Sequence, residues 1–313
     1  VMSQSVRVAV PRKGRPLEAV LERIAMVTDA ESVVDEVIST LRHEKAITKG
    51  SIDPTMDVYE RLSTISTLHD EYKPEYTLRR DDRPGMPRRI VFDTLTIDIS
   101  GIPVQLIGRE EPFRALRTHT FGLGFDSADL VLEEVVDLRA DGIDSIDEIN
   151  ARIDPMNTDV RVVTGLGDTV YHTLLARPDV LDYDVSLDRS FIIEYQGTLC
   201  ISPRYERLVE AVLGTYALDD VSFKYPHEEQ QEEAAISNAG VGVYLTVTGS
   251  TAREHGLVVG EELFPSETVL MQNNAETTAK TDRVRDILAT CEMEEMMTEI
   301  NTQSLDANNK TTE

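Results

Sequence analysis

Cysteine is almost missing: Cys200 and Cys291 are too few and too far apart for a disulfide framework or a zinc site. No apolar run approaches the length of a membrane span, and the N-terminal stretch lacks the hydrophobic centre of a signal peptide. The six histidines show no HExxH or comparable metal-ligand spacing. Tryptophan is absent and aromatic residues make up only 5% of the chain. Lysine is scarce as well, confined to Lys13, Lys45, Lys49, Lys73, Lys224, Lys280 and Lys310. These gaps lead to the expectation of a soluble cytoplasmic protein without a membrane segment.

Acid dominates what is present. Lys and Arg total 31 against 57 Asp and Glu, a formal charge of -26. Phosphate contacts along a nucleic acid need a basic surface, so the balance argues against nucleic-acid partners. Acidic excess with little lysine fits a high-salt cytoplasm, where screening makes self-repulsion tolerable. A local anion pocket can still exist inside an acidic shell. At 313 residues the chain can bury a sizeable core, as two domains or one split domain.

The stretch around which the chain is organised is Tyr244 to Leu257. Val241, Val243, Leu245 and Val247 make a short apolar strand running into Thr248-Gly-Ser-Thr251. Glycine lets backbone N–H groups approach an anion closely, and hydroxyls add donors. If Ala252 to His255 turn helically, the positive end of that turn faces the same anion. By spacing alone, an ordinary strand-to-helix connection is the better explanation of the stretch.

Earlier in the chain, Val6 to Val10 reads as a strand, interrupted by Pro11-Arg-Lys-Gly-Arg15. Pro16 suits a first helical turn, and Leu17, Val20, Leu21 and Ile24 follow at amphipathic spacing. The basic turn is an anion site or a solvated loop. Helical periodicity continues from 28 to about 75, with a turn at Ser51-Ile-Asp-Pro54. Residues 79–89 read as a polar loop. Strands are expected over Ile90–Ser100 and Val104–Ile107, the second followed by Arg109, then a short helix from Pro112 and an acidic one from Ala128. Residues 141–159 are acidic and turn-rich. Val160–Val163 reads as a strand, and Gly165-Leu-Gly-Asp-Thr169 as the entry to a helix through Leu175. Ser202-Pro-Arg opens a helix, and Val284, Ile287, Leu288 and Cys291 space a last one. Residues 301–313 are a polar, frayed tail.

Thr248-Gly-Ser-Thr-Ala-Arg-Glu-His-Gly-Leu257 resembles the phosphoribosyl-diphosphate loop of the ATP phosphoribosyltransferase family, which opens histidine biosynthesis. Lys13-Gly14-Arg15 resembles that family's N-terminal Pro-Lys-Gly-Arg. Leu123-Gly124 with Asp129-Leu130 is similar to its Asp-Leu-Gly segment, though Asp126-Ser127 replaces the usual Thr-Gly. Phe191–Tyr195 is similar to its strand ending in Thr-Glu-Tyr-Pro, and Gly260–Asn273 looks like its return strand. The order of these pieces, collinear from residue 6 to about 290, carries the resemblance.

The resemblance implies a two-lobed α/β fold like that of a type 2 periplasmic binding protein, its first lobe discontinuous. Alternating strands and helices support α/β independently. The implied division is a first lobe over 1–136 with a helical insertion at 28–75, a second over 137–258, and a return over 259–300. The implied reaction joins N1 of ATP to the anomeric carbon of phosphoribosyl diphosphate, which carries Mg²⁺ on the departing diphosphate. Thr248, Gly249, Ser250 and Thr251 would hold the 5-phosphate, with Arg253 nearby. Lys13, Gly14 and Arg15 would meet ATP or diphosphate oxygens. Arg109 is a further phosphate candidate and Glu194 a ribose or Mg²⁺ contact, each otherwise a surface ion pair. The partners are then small molecules, and a homo-oligomer is allowed.

Two departures bear on function. The family has an acid where Tyr244 stands, and its Gly-Ser-x-Glu segment aligns with Glu228-Glu-Gln-Gln231. Extra negative charge beside a polyphosphate is unfavourable unless Mg²⁺ or salt offsets it. The alternative is therefore a non-catalytic or differently catalytic small-molecule-binding relative on the same scaffold. An exported solute-binding protein ranks below both.

Overall fold

The computed structural model describes residues 5–79, 88–136, 143, 146–214, 216–227 and 232–290. The expected polar loop at 79–89 lies largely outside them. Glu228–Gln231, Cys291, the residue-137 boundary and the 301–313 tail lie wholly outside them. The chain forms two α/β units, each with its own sheet.

The first unit opens with β1 (Val6–Pro11) and α1 (Gly14–Val27). Leu17, Val20, Leu21 and Ile24 fall on one face of α1 and are fully buried, each contributing about 1.5–3 kcal/mol of apolar transfer. Next come α2 (Glu31–Thr48) and α3 (Val58–Ile65). Asp57 accepts from the Tyr59 and Glu60 amides, and Glu60 answers the Asp57 amide, so a reciprocal cap starts α3. Val34, Val37 and Ile38 of α2 bury into the same cluster as β1 and α1, making the expected insertion part of this core. β2 (Glu75–Arg79), β3 (Arg89–Ile99) and β4 (Ile102–Arg109) follow, then α4 (Pro112–Arg117) and β5 (Leu123–Ser127).

The second unit begins with α5 (Ala128–Glu134). Its chain passes through β6 (Val160–Gly165), which belongs to the first unit's sheet, and returns as β7 (Val170–Ala176). Then come α6 (Arg189–Glu194), β8 (Gly197–Cys200), α7 (Glu206–Leu213), β9 (Val221–Lys224) and α8 (Glu232–Ala239). β10 (Val241–Thr246), α9 (Ser250–Glu254) and β11 (Val258–Ser266) complete it. β12 (Thr268–Asn273) and α10 (Ala279–Ala289) close the described chain.

The seven-stranded sheet runs β2-β3-β4-β1-β5-β12-β6 and the five-stranded one β11-β7-β10-β8-β9. In the first, β1 pairs parallel with β4 from Val6↔Val104 to Pro11↔Arg109. That register sets Arg109 beside the start of the Arg12–Arg15 turn.

Several local expectations change. Residues 170–175 are a strand, not a helix: they pair antiparallel with both β10 and β11, which satisfies the backbone on both edges. Residues 191–194 are a helix, not a strand, because Asp188 accepts from the Ser190 and Phe191 amides and starts a turn there. Ile192 is buried while Ile193 is 66% exposed, so the apolar run is not a buried strand. The units divide after Asp126, not near 137, and residues 159–166 join the first unit. The return is later than expected. β11 stays in the second unit's sheet, and only β12, after Ser266, enters the first unit's sheet.

Candidate functional site

β10 lies between β7 and β8, and its end delivers Thr248–Thr251 to the surface of the second unit. Gly249 is the N-cap of α9 in a left-handed conformation, φ 72°. A Cβ there would sit 2.7 Å from Val259 Cγ2 on β11, so glycine is required both by backbone and by space. The helical ladder starts with the Arg253 N–H donating to the Gly249 carbonyl at 3.0 Å. The amides of Ser250, Thr251 and Ala252 are therefore first-turn donors. Ala252 is buried in a small core with Leu175, Cys200, Ile236 and Leu257, which anchors the turn.

Thr248 to Ala252 line one cavity of about 300 Å³ with Thr246, Tyr244 and Glu233. Arg253 is not aimed into open space: its Nη1 donates to the Thr248 carbonyl at 2.7 Å, bracing the loop. The Thr248 hydroxyl donates to the Ser250 hydroxyl at 3.2 Å. Burial first, then Glu232 and Glu233, pushes the Tyr244 hydroxyl up to about 12, so it is a neutral donor at neutral pH. The cavity thus presents amides and hydroxyls on one side and a carboxylate on another. Glu233 was not legible as a site residue: it lies in the first turn of α8, and only the packing of α8 against β10 brings it there.

Glu194 ends α6 exposed and does not line that cavity. Gly165-x-Gly167 is not an anion loop either. The Gly167 amide, at φ 77°, donates to the Glu267 carboxylate at 2.6 Å, and Asp168 accepts from the Thr268 amide and hydroxyl.

In the first unit, Lys13 is the extended N-cap of α1 and Gly14 begins it with φ 76°. Arg15 is exposed on its first turn. The Arg109 guanidinium lies over the Phe121 ring at 5.2 Å, and that of Arg7 over the same ring at 4.8 Å. Arg109 is thus held against an aromatic face. Among the described residues, no group of three or more His, Cys, Asp or Glu side chains could hold a metal ion. No described helix is long and apolar enough to cross a membrane.

One polar cluster has no counterpart in the sequence reading. His172 on β7 and Asp129 in the first turn of α5 are 1% and 3% exposed, with Nε2 and Oδ1 3.4 Å apart. The His172 ring stacks on Phe264 and meets Tyr205 edge-on. Burial alone would push the Asp129 carboxyl up. The His172 hydrogen bond and charge, the Ser266 hydroxyl and the Arg204 charge outweigh it, and the net direction is down.

Residues 2–299 match the model of a family described as halobacterial ATP phosphoribosyltransferase. An ATP phosphoribosyltransferase from Caldanaerobacter subterraneus subsp. tengcongensis is 48% identical over 46 residues, 15% of this chain and 22% of that protein's length. Among solved structures, the ATP phosphoribosyl transferase (HisG:HisZ) complex from Thermotoga maritima aligns with 93% of this chain and 96% of that one, at TM-score 0.43 and 11% identity. The ancestral amino-acid-binding protein AncCDT-1 aligns with 65% of this chain and 78% of its own, at TM-score 0.36 and 11% identity.

Proposed function

Because this chain belongs to the halobacterial ATP phosphoribosyltransferase family, we propose that it transfers the phosphoribosyl group of phosphoribosyl diphosphate to N1 of ATP or a related nucleotide. In this reading it acts at the entry to histidine biosynthesis. The observation that carries the reading is the Thr248–Thr251 loop: the family's phosphate-loop residues, a left-handed Gly249 and first-turn amides share one cavity.

The chemistry breaks the C1–O bond to diphosphate and forms a C1–N1 bond, so the protein must position two polyanions and stabilise leaving-group charge. The amides of Ser250 and Thr251 and the Thr248 hydroxyl hold the 5-phosphate; Arg253, through the Thr248 carbonyl, fixes the loop that presents them. Glu233 and the neutral Tyr244 hydroxyl take the ribose hydroxyls, which an acceptor and a donor can both satisfy. On the first unit, taken by itself, Lys13, Gly14, Arg15 and Arg109 are the groups suited to diphosphate or ATP oxygens. Mg²⁺ enters as the counter-ion of the diphosphate, part of the substrate.

Calorimetry with phosphoribosyl diphosphate, Mg²⁺ and molar KCl tests the reading, followed by diphosphate release when ATP is added. Saturable binding below about 1 mM, a usual ceiling for enzyme substrates, and release dependent on both substrates are expected. Absence of binding at that concentration would remove the transferase and leave the binding relative, for which Glu233 beside the loop is the supporting observation.

The working medium follows from the charge. With -26 charges on 313 residues, self-repulsion opposes the compact state at low ionic strength. Circular dichroism across a KCl series should show a thermal midpoint rising with salt. A midpoint unchanged from dilute buffer to molar KCl would end the high-salt reading.

A further inference from the structure

Side chains alternate along a strand, so Tyr244 and Thr246 of β10 lie on the same side of the second unit's sheet. On that side β7 sets Thr173 opposite Tyr244 and Tyr171 opposite Thr246. Thr173 is fully buried, and Thr246 is half-buried in the lining of the loop cavity. Their hydroxyl oxygens are 2.7 Å apart, the usual length of an O–H···O bond, so one proton sits between them.

Proton counting decides which residue supplies it. A threonine hydroxyl has one proton and two lone pairs. The Thr173 hydroxyl also donates to the Tyr171 carbonyl at 3.2 Å, and a carbonyl only accepts. With its proton on Tyr171, Thr173 can only accept from Thr246. Both bonds exist together in that arrangement alone. Thr246 therefore directs its proton at Thr173 and has only a lone pair left for whatever enters the cavity.

The cavity is polarised as a result. At the Gly249 end, the first-turn amides of Ser250 and Thr251 donate. Along β10 and α8, the Thr246 oxygen and the Glu233 carboxylate accept. A fully ionised phosphate satisfies the first group and brings no proton to the second. A phosphate carried on a hydroxylated body satisfies both.

We propose that Thr246 is a specificity-determining residue that accepts from a sugar hydroxyl of the phosphorylated ligand, with Thr173 as the positioning residue that keeps Thr246 an acceptor. The assignment rests on the phosphoribosyl reading above and deepens it: the site reads the sugar as well as its phosphate. A cross-strand threonine pair also steadies a sheet. That role alone needs neither a directed proton nor a cavity in front of it.

Calorimetric titrations in molar KCl separate the two roles, with ribose 5-phosphate and inorganic phosphate as probes and Mg²⁺-phosphoribosyl diphosphate alongside. The parent should bind ribose 5-phosphate more tightly than inorganic phosphate. Thr246→Val keeps the side chain's shape and removes the hydroxyl. It should weaken ribose 5-phosphate roughly fivefold, the contribution of one neutral hydrogen bond, and inorganic phosphate by less than about twofold. Thr246→Ser restores the hydroxyl and should bring ribose 5-phosphate back to within about twofold of the parent. Thr173→Val leaves Thr246 in place but releases its proton from the strand, so the preference for the sugar phosphate over inorganic phosphate should fall here too. Loss of a purely structural pair would instead lower the thermal midpoint and weaken both probes alike. Equal weakening of the two probes, an unchanged preference in Thr173→Val, or parent-like ribose 5-phosphate binding by Thr246→Val would each overturn the assignment while phosphoribosyl diphosphate still binds, leaving the transferase reading intact. A parent that binds neither phosphorylated sugar would overturn both.

Discussion

Gly249→Val is expected to abolish phosphoribosyl-diphosphate binding and to lower the thermal midpoint as well. Two effects act together. Residue 249 has φ 72°, which a β-branched side chain takes only under strain of about 1–3 kcal/mol. Its Cβ would also lie 2.7 Å from Val259 Cγ2 and 3.3 Å from Cγ1, so the loop must move off β11. Moving it misaims the Ser250 and Thr251 amides that are assigned to the phosphate. The sequence alone leads to an expectation of little effect on folding, and the contact with Val259 corrects that. Arg253→Ala separates the two effects: the residue is exposed, so the fold should hold, while loss of the brace to the Thr248 carbonyl should weaken binding about tenfold. Calorimetry on both variants, beside their thermal midpoints, decides. Gly249→Val binding like the parent would detach the phosphate from this loop.

How far the sequence reaches depends on whether a feature is local. The face of α1 is set by Leu17, Val20, Leu21 and Ile24 at helical spacing, and those four side chains are buried. The loop at 248–251 is also local: strand, glycine and first turn follow one another, and the structure places them so. Periodicity fails where burial is two-sided. Val170–Ala176 is buried at nearly every position, the polar His172 and Thr173 included, so no alternation marks it as a strand, and only its place between β10 and β11 resolves it. At Phe191 the family resemblance implies a strand, but the Asp188 cap starts a helical turn there.

Features made by folding leave no mark along the chain. Glu233 joins the loop's cavity only through α8 packing on β10, with Gly242 so close to Ile236 and the Cys200 carbonyl that no side chain fits between. The late return through β11 has the same origin. Val258–Ser266 is a usable strand for either sheet, and its register with β7, from Val258↔Ala176 to Ser266↔Val170, keeps it in the second. A resemblance that matches segments in order places the return strand, but not the residue at which it changes sheets.

The Asp129–His172 pair lies 43 residues apart in sequence, and its loss should give the largest stability change in the second unit. Both side chains are almost wholly buried, so removing one leaves the other's polar group without its partner in a low-dielectric site. Asp129→Ala should therefore cost about 3–5 kcal/mol, read from denaturant unfolding in molar KCl. Asp129→Asn keeps size and hydrogen-bonding capacity and should cost less. Acid sensitivity distinguishes charge from packing. The folded Asp129 carboxyl is held below its ordinary 3.8. A depressed carboxylate contributes stability that is fully present above the unfolded value and is lost as pH falls through the folded one. Stability of the parent should accordingly fall more steeply below pH 3.8 than that of Asp129→Asn, with the two curves parallel above it. His172→Leu should also lose much of this acid limb, because the largest opposing influences on Asp129 come from His172. If the parent and Asp129→Asn lose stability identically as acid is added, the pair is held by packing against Phe264 and Tyr205, and its charge contributes nothing to the fold.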